Sequence, residues 1–356
     1  MGGSAACKAR TPKPPASVVT SAAIDLASTS GKSLYLSLCA PCHGIDAKGY
    51  VADHAPSLSS STFLESATDE YLAQSISVGR PGTSMAGYGK LLGGPLDDGA
   101  VKRIVAHLRG QGPTAKSLVD MPLGDPQRGA AVYATACRAC HGDQTVRGEA
   151  VHLANTQFLR QATPAFLRYA IVHGRPDTKM VPFANTLTAP QIDDVVAFVR
   201  SFAQAAPPIT LLPEPTGKEP LVINPKGKDP VFKLTADRFV GVEQVNQALK
   251  DHHRMIIIDA RPAPEWRRVH IDGAVSIPYH DMKRLAEIPS DVWAIAYCAC
   301  PHHLSGNVVD ELIKQGHKRA LVLDEGINVW QQRGFPVVAA QGVPLPVPEA
   351  KAAPRP

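Results

Sequence analysis

The spacing of apolar and polar positions divides the chain into a helical N-terminal part and a mixed C-terminal part. Before residue 206, apolar residues recur at helical intervals in 96–108 and 192–199, each beside a pair of aspartates. This spacing predicts an amphipathic helix in each segment. The segments 31–36 and 127–133 also have helical character.

After residue 231 the pattern changes to short apolar runs that alternate with helical stretches. The runs 255–258, 293–297 and 320–323 predict buried parallel strands, and 242–249 and 306–314 predict helices. Strands that alternate with helices in this way are typical of a small α/β domain with a parallel sheet.

Proline and glycine recur in 111–126 and in 205–230, where no periodic pattern survives. Such stretches are typical of linkers, and 356 residues suggest two or three domains at about 150 residues each. We therefore predict an all-α domain, a second all-α domain and an α/β domain, joined by linkers and flanked by tails. The predicted boundaries are a tether at 1–26, domains at 27–113, 125–206 and 231–342, a linker at 207–230 and a disordered tail at 343–356.

The two helical domains contain an internal repeat. The segments 58–85 and 153–180 align without a gap, and 12 of the 28 positions are identical. A repeat of this length exceeds the 20 to 50 residues of solenoid units, so it indicates a duplicated whole domain.

Each copy of the repeat is preceded by a CxxCH pentapeptide, at 39–43 and at 137–141. In a c-type haem site the two thiols bond covalently to the haem vinyl groups and the histidine ligates iron. One copy alone is also compatible with a CxxC redox or zinc motif, but two copies in a duplicated domain favour haem. We predict two covalently bound haem c groups, with attachment through Cys39, Cys42, Cys137 and Cys140 and proximal ligation by His43 and His141.

The opposite iron ligand is predicted to be a methionine in each domain. Met85 and Met180 occupy the same repeat position after a shared Gly-Arg-Pro turn, whereas His54, His107, His152 and His173 do not match one another across the repeat. With this motif pair, residues 27–206 resemble two class I cytochromes c. The resemblance implies all-helical folds, outer-sphere electron transfer with proteins of a respiratory chain, and both iron positions filled.

Composition and the N-terminal segment bear on the class of protein and on its location. Apolar residues make up 44% of the chain, charged residues 19%, and the net charge of +5 is scattered; this favours globular domains and gives no case for nucleic-acid binding. Haem attachment to CxxCH predicts a location in the periplasm or on the outer face of a bacterial membrane. Small residues before Cys7 resemble a lipoprotein processing site with a membrane tether; an incidental cysteine in a disordered tail is the alternative.

The C-terminal domain resembles the rhodanese family. The resemblance rests on 259–266 (DARPAPEW) and 269–278 (VHIDGAVSIP) and covers about 235–340. It implies that Cys298, between a strand and a helix N-terminus, carries sulfur as a persulfide, because converging amides stabilise a sulfur anion there. The loop Cys298-Ala-Cys-Pro-His-His-Leu-Ser lacks the glycine and arginine of the common family form.

Three further residues of this loop are candidates for the same chemistry. Cys300 is a candidate resolving thiol, and His302 and His303 are candidates for lowering the thiol pKa or for hydrogen bonding to a sulfur species. The sequence thus predicts an electron carrier coupled to binding or transfer of sulfane sulfur from small sulfur compounds. One alternative is a pure electron carrier whose rhodanese-like domain is a non-catalytic docking or redox-sensing module; another, chemistry at a haem, requires an open iron position.

Overall fold

The computed structural model describes residues 28–52, 54–203, 209–299 and 302–345. Two helical units precede a unit built on a parallel sheet, so the predicted fold class is confirmed. Cys7 and Cys300 lie outside the described residues.

The helices of the first unit are α1 (Gly31–Leu38), α2 (Ala40–His43), α3 (Ser61–Ser66), α4 (Asp69–Val78) and α5 (Asp98–Arg109), with a 3-10 turn at Lys90–Leu92. Those of the second are α6 (Pro126–Ala136), α7 (Arg138–His141), α8 (Thr156–Gln161), α9 (Pro164–His173) and α10 (Ala189–Ser201). The third unit contains α11 (Val242–Lys250), α12 (Ala263–Arg268), α13 (His303–Lys314) and α14 (Gly326–Gln332), with a 3-10 turn at Lys283–Glu287. Its strands are β1 (Phe239–Val240), β2 (Ile256–Asp259), β3 (Val269–Ile271), β4 (Val275–Ser276), β5 (Ala294–Tyr297), β6 (Ala320–Leu323) and β7 (Val337–Ala339).

Each helical unit is closed by packing its first helix against its last, α1 on α5 and α6 on α10. The backbones approach closely at a glycine in both: a Cβ on Gly31 would lie 1.9 Å from the Arg103 carbonyl oxygen, and one on Gly129 would lie 2.0 Å from that of Asp194. Only a residue without a side chain allows this approach. The duplicated sequence therefore produces the same helix pair twice.

The predicted amphipathic helices α5 and α10 are confirmed, and each has a side-chain cap. Asp97 accepts a hydrogen bond from the Ala100 amide, and Thr188 forms a capping box with Gln191. Such caps satisfy the free amides of the first turn. Among the described residues, no helix has both the length and the apolar character needed to cross a membrane.

The third unit has a five-stranded parallel sheet in the order β1-β6-β5-β2-β4. Strands β2, β5 and β6 are fully buried, as their continuous apolar runs predict. A separate antiparallel pair, β3 with β7, lies beside this sheet. The carboxyl ends of β5 and β2 thus lie side by side at one edge of the sheet, with Tyr297 opposite Asp259.

The described part of the second linker, 209–230, has no helix or strand but is attached to the third unit. The Thr210, Leu212 and Ile223 amides donate hydrogen bonds to the carbonyls of Gln341, Arg267 and Met255. This segment is therefore held along the surface of the domain that it precedes.

The two helical units contact each other through equivalent parts of the repeat. Tyr71 of α4 stacks on Phe166 of α9 at 4.9 Å between ring centroids. The Thr62 hydroxyl donates to the Gly174 carbonyl, and the Asn155 amide group donates to the Pro81 carbonyl. The loops that carry Met85 and Met180 both begin at this interface.

Candidate functional site

The two CxxCH segments have the same local structure. A helix ends at the first cysteine, a second helical turn carries the histidine, and a glycine with positive φ follows, Gly44 in one copy and Gly142 in the other. The Tyr35 and Tyr133 hydroxyls, one turn before each first cysteine, donate to the carbonyls of these glycines. Each turn is thereby fixed to the helix before it.

Both histidines are oriented through one ring nitrogen. The Nδ1 atom lies 2.9 Å from the Pro56 carbonyl in His43 and 2.8 Å from the Val151 carbonyl in His141. A carbonyl accepts from Nδ1–H, which leaves Nε2 free as a metal ligand. Burial lowers the pKa of both histidines, although these hydrogen bonds oppose the shift, and a neutral ring is the form that binds metal. The residues present therefore fit a haem iron.

The neighbouring thiols lie in apolar surroundings. Burial raises the pKa of Cys39 to about 12 and that of Cys137 to about 11, so both are uncharged thiols in the free chain. Thioether bonds to haem remove these groups from titration. The arrangement is consistent with covalent attachment at both copies.

The loops that carry the candidate methionine ligands are also identical in their hydrogen bonds. The Arg80 amide donates to the Met85 carbonyl at 2.7 Å, and the Met85 amide lies 3.1 Å from the Thr83 hydroxyl. The second loop has the same two contacts at the same distances: the Arg175 amide donates to the Met180 carbonyl, and the Met180 amide donates to the Thr178 hydroxyl. Ligation by Met85 and Met180 stays a prediction, and the shared loop geometry favours the same role for both.

The surroundings of the two CxxCH segments differ. Residues 138–140 of the second copy are exposed, whereas Ala40 of the first is buried and its two neighbours are partly buried. Tyr279 of the third unit donates to the Leu38 carbonyl at 3.0 Å, beside Cys39. The third unit therefore covers the first attachment segment and leaves the second open.

A buried pair of tyrosines joins these two units. The Tyr88 and Tyr279 hydroxyls lie 3.0 Å apart, and both are within 3.2 Å of the Leu38 carbonyl oxygen. Burial raises the pKa of Tyr279 well above its usual range. Arg267 adds a hydrogen bond to the Leu92 carbonyl, so the contact is polar as well as buried.

Cys298 lies at the carboxyl end of β5, before α13, as the sequence predicts. It is 1% exposed, and its Sγ is 3.4 Å from the Ser305 hydroxyl in the first turn of α13. Its carbonyl accepts from the Ile327 amide. Gly326 permits this contact, because its φ is +67° and a Cβ there would lie 2.4 Å from that carbonyl oxygen.

The histidines of the loop take different positions. His302 has a φ of +70°, its Nε2 is 2.6 Å from Asp324 Oδ1, and its ring packs on Phe239. This contact directs His302 toward β6, whereas His303 is the first residue of α13. The roles assigned to Cys298, Cys300, His302 and His303 stay predictions.

A buried ion pair supports the strand ends beside Cys298. Arg261 donates from Nε and Nη2 to Asp259 at 2.9 and 2.6 Å, and the Tyr297 hydroxyl donates to the same carboxylate at 2.7 Å. Asp259 and Arg261 are 0% and 5% exposed. The pair fixes the carboxyl ends of β2 and β5, from which the Cys298 loop starts.

Sequence reasoning missed several residues of this site. Ser305 is in the quoted loop, but its contact with Cys298 depends on how α13 begins. Asp324 and the tyrosine pair come from distant segments with no shared motif.

Two family models match separate parts of the chain. The model described as "Cytochrome C oxidase, cbb3-type, subunit III" matches residues 27–108 and 124–199. The rhodanese-like domain model matches residues 242–333. Cytochrome c domains imply covalently bound haem c and redox partners.

Curated relatives include a sulfurtransferase of Allochromatium vinosum, 33% identical over 101 residues, which covers 28% of this chain and 94% of that protein. A dihydro-heme d1 dehydrogenase of Pseudomonas aeruginosa is 38% identical over 71 residues, 20% of this chain and 14% of that one. Other curated relatives are matched over 23% to 56% of their length.

A solved structure, a Kuenenia stuttgartiensis reducing HAO-like protein complex, is 20% identical with a TM-score of 0.33, over 49% of this chain and 96% of that one; at this score it adds nothing to the assignment. The family assignment rests on the two family models and on the match to the sulfurtransferase. The chain therefore belongs to the c-type cytochromes through its two helical domains and to the rhodanese family through its C-terminal domain.

Proposed function

We propose that the protein is a dihaem electron carrier whose electron transfer is coupled to binding or transfer of sulfane sulfur at Cys298. One haem c is held by Cys39, Cys42, His43 and Met85, and the other by the equivalent residues of the second domain, Cys137, Cys140, His141 and Met180. Bound haem supplies one-electron transfer at its iron. The residues of the chain position the haems and the thiol.

The observation that carries this proposal is the contact between the Cys298 loop and the first cytochrome domain. Ala299 and Leu304 line a small cavity whose other wall is formed by the methionine loop, through Thr83, Ser84 and Ala86. The sulfur site and the first haem site therefore share a boundary. A fusion in which the rhodanese-like domain only adds a separate activity does not require this contact.

The difference in exposure suggests a direction for the electrons. The first attachment segment is covered by Tyr279, whereas residues 138–140 beside the second haem site are open to a partner protein. We infer that electrons enter at the first domain and leave from the second, toward a protein of a respiratory chain. The corresponding location is the periplasm or the outer face of a bacterial membrane, with a lipid anchor at Cys7 as the proposed tether.

The test is the Cys298→Ser variant of the full-length holoprotein. We expect loss of the persulfide that mass spectrometry detects on the Cys298 peptide after exposure to thiosulfate or polysulfide, and loss of haem reduction by the same compounds. Asp281→Ala is the control, because its exposed ion pair with Lys283 lies outside both haem motifs and the Cys298 loop. Haem reduction at an unchanged rate in Cys298→Ser would refute the coupling.

A second function, docking or redox sensing, is favoured by two features of Cys298. Its side chain is 1% exposed, and its loop lacks the glycine and arginine of the common family form. Cyanide-dependent sulfurtransferase assay of the full chain separates the two functions. Neither thiocyanate nor persulfide would be formed if the domain only docks.

A further inference from the structure

Two hydrogen bonds connect Cys298 to Tyr279 inside the rhodanese-like domain. The carbonyl of Tyr297, the residue before Cys298, accepts from the Ala260 amide at 3.0 Å. The Ala260 carbonyl in turn accepts from the Tyr279 amide, also at 3.0 Å. Both bonds lie at the carboxyl ends of paired parallel strands, which the buried ion pair beside them fixes. Tyr279 therefore has a fixed position relative to Cys298.

The side chain of Tyr279 extends this connection into the first cytochrome domain. Its hydroxyl donates to the Leu38 carbonyl at 3.0 Å, and the next residue is Cys39, the predicted haem-attachment residue. Burial, the neighbouring Tyr88 and the charges of both attachment thiols raise the pKa of Tyr279, so its hydroxyl lies near these thiols and keeps the proton that it donates. Covalent bonds and three hydrogen bonds of 3.0 Å thus lead from Cys298 to Cys39. We call this series the bonded path.

The bonded path is enclosed by protein along its whole length. The four residues between its two cysteines, Leu38, Ala260, Tyr279 and Tyr297, are at most 5% exposed. Water therefore does not compete for the three hydrogen bonds, and hydrogen bonds in such surroundings are stronger than in water. The path is a permanent connection between the two domains.

The other contacts between these domains are poorer routes from the sulfur site. Ala299 and Leu304 face the methionine loop across a small cavity. Glu265 and Arg267 bond to the first domain from α12, but they lie five and seven residues after Ala260 along the chain. Electronic coupling weakens with each added bond, and it weakens more steeply across a gap than along bonds. The bonded path is therefore the better electronic connection.

We propose that electrons pass from the sulfur of Cys298 to the first haem site through Tyr279, along the bonded path. This inference rests on the proposed sulfur function of Cys298. With inorganic sulfide as the co-reactant, the Cys298 thiolate and a hydrosulfide ion form one S–S bond and release one proton and two electrons. The electrons reduce two ferric irons, one in each cytochrome domain. Tyr279 is not itself oxidised; its ring and hydroxyl couple the two sites.

The test is Tyr279→Phe in the full-length holoprotein, which removes one oxygen atom and breaks the bonded path at the domain boundary. Tyr88→Phe is the matched control. The Tyr88 hydroxyl is also buried beside the Leu38 carbonyl, at 3.2 Å, but it belongs to the first domain and does not bridge to Cys298. Each variant leaves one hydroxyl to donate to the Leu38 carbonyl, so both keep this acceptor satisfied.

Three quantities distinguish an electronic role from a structural one. They are the rate of haem reduction by sodium sulfide in stopped flow, the potentials of both haems, and the persulfide that polysulfide forms on the Cys298 peptide. Polysulfide transfers sulfur to a thiolate without net release of electrons, so it reports on the sulfur site alone. We expect severalfold slower haem reduction in Tyr279→Phe, with unchanged potentials and persulfide. Tyr88→Phe should match the wild type in all three.

A wild-type rate in Tyr279→Phe, or an equal loss of rate in Tyr88→Phe, would overturn the inference. A slower rate with shifted potentials or less persulfide would also overturn it, because the hydroxyl would then have a structural role. Cys298→Ser separates this inference from the proposed function. Sulfide-driven reduction at full rate without the thiol rejects the proposed function, whereas reduction that needs Cys298 but not the Tyr279 hydroxyl rejects only the bonded path.

Discussion

Removal of the carboxylate at Asp259 should unfold the rhodanese-like domain at much lower denaturant concentration. Asp259→Ala deletes the acceptor of the Arg261 amide, of Arg261 Nε and Nη2, and of the Tyr297 hydroxyl. The guanidinium, 5% exposed, keeps its bond to the Val269 carbonyl but loses its counter-charge. The site therefore keeps a buried cation that has lost its hydrogen-bonded carboxylate, with Glu265 as the remaining carboxyl group nearby.

The expected cost follows from this burial. Breaking a buried ion pair by removing one partner costs about 3–5 kcal/mol, because the remaining charge stays desolvated. At 1.4 kcal/mol for each factor of ten, the unfolding equilibrium constant should rise by about two to four orders of magnitude. This is a large share of the roughly 5–15 kcal/mol that stabilises a typical domain.

Tryptophan fluorescence during urea unfolding measures this domain selectively. All three tryptophans of the chain, Trp266, Trp293 and Trp330, lie in the rhodanese-like domain. Asp281→Ala is the control, since its ion pair with Lys283 at 3.7 Å is exposed and surface pairs contribute about 0–1 kcal/mol. A loss below about 1 kcal/mol for Asp259→Ala, equal to that of the control, would refute the reasoning.

Three further outcomes are expected. Gly326→Ala should lower the free energy of unfolding in urea by about 2 kcal/mol, since alanine at φ +67° is strained and its Cβ would meet the Cys298 carbonyl. The same variant should form less persulfide on Cys298. A free energy of unfolding and a persulfide yield equal to those of the wild type would contradict this. Met85→Ala and Met180→Ala should each lower the potential of a different haem in redox titration, because a thioether ligand raises it; unchanged potentials would exclude ligation. Burial lowers the pKa of His280 from 6.5 to about 4, so the unfolded chain binds more protons in this range. Stability, complete above pH 6.5, should therefore fall by about 3 kcal/mol toward pH 4; His280→Gln should flatten this slope.

Local sequence patterns predicted the strands well where a strand is buried on both faces. The apolar runs at 255–258 and 320–323 became β2 and β6, because strands covered on both faces contain few polar residues. The duplicated Gly-Arg-Pro turn predicted two equal methionine loops, since identical local sequence forms identical local hydrogen bonds. The linker at 209–230 gave no such signal, because its hydrogen bonds go to distant backbone groups.

The sequence by itself determined the domain families and the candidate chemistry: two CxxCH segments with aligned methionines, and a thiol between a strand and a helix. These motifs can be recognised from the sequence because they depend on the spacing of residues along the chain and on local backbone geometry. Only the tertiary structure decided that Tyr279 covers the first CxxCH segment, that His302 pairs with Asp324, and that Ser84 and Glu265 face one pocket. Such contacts join residues far apart in the chain, and their partners are selected by how whole domains pack.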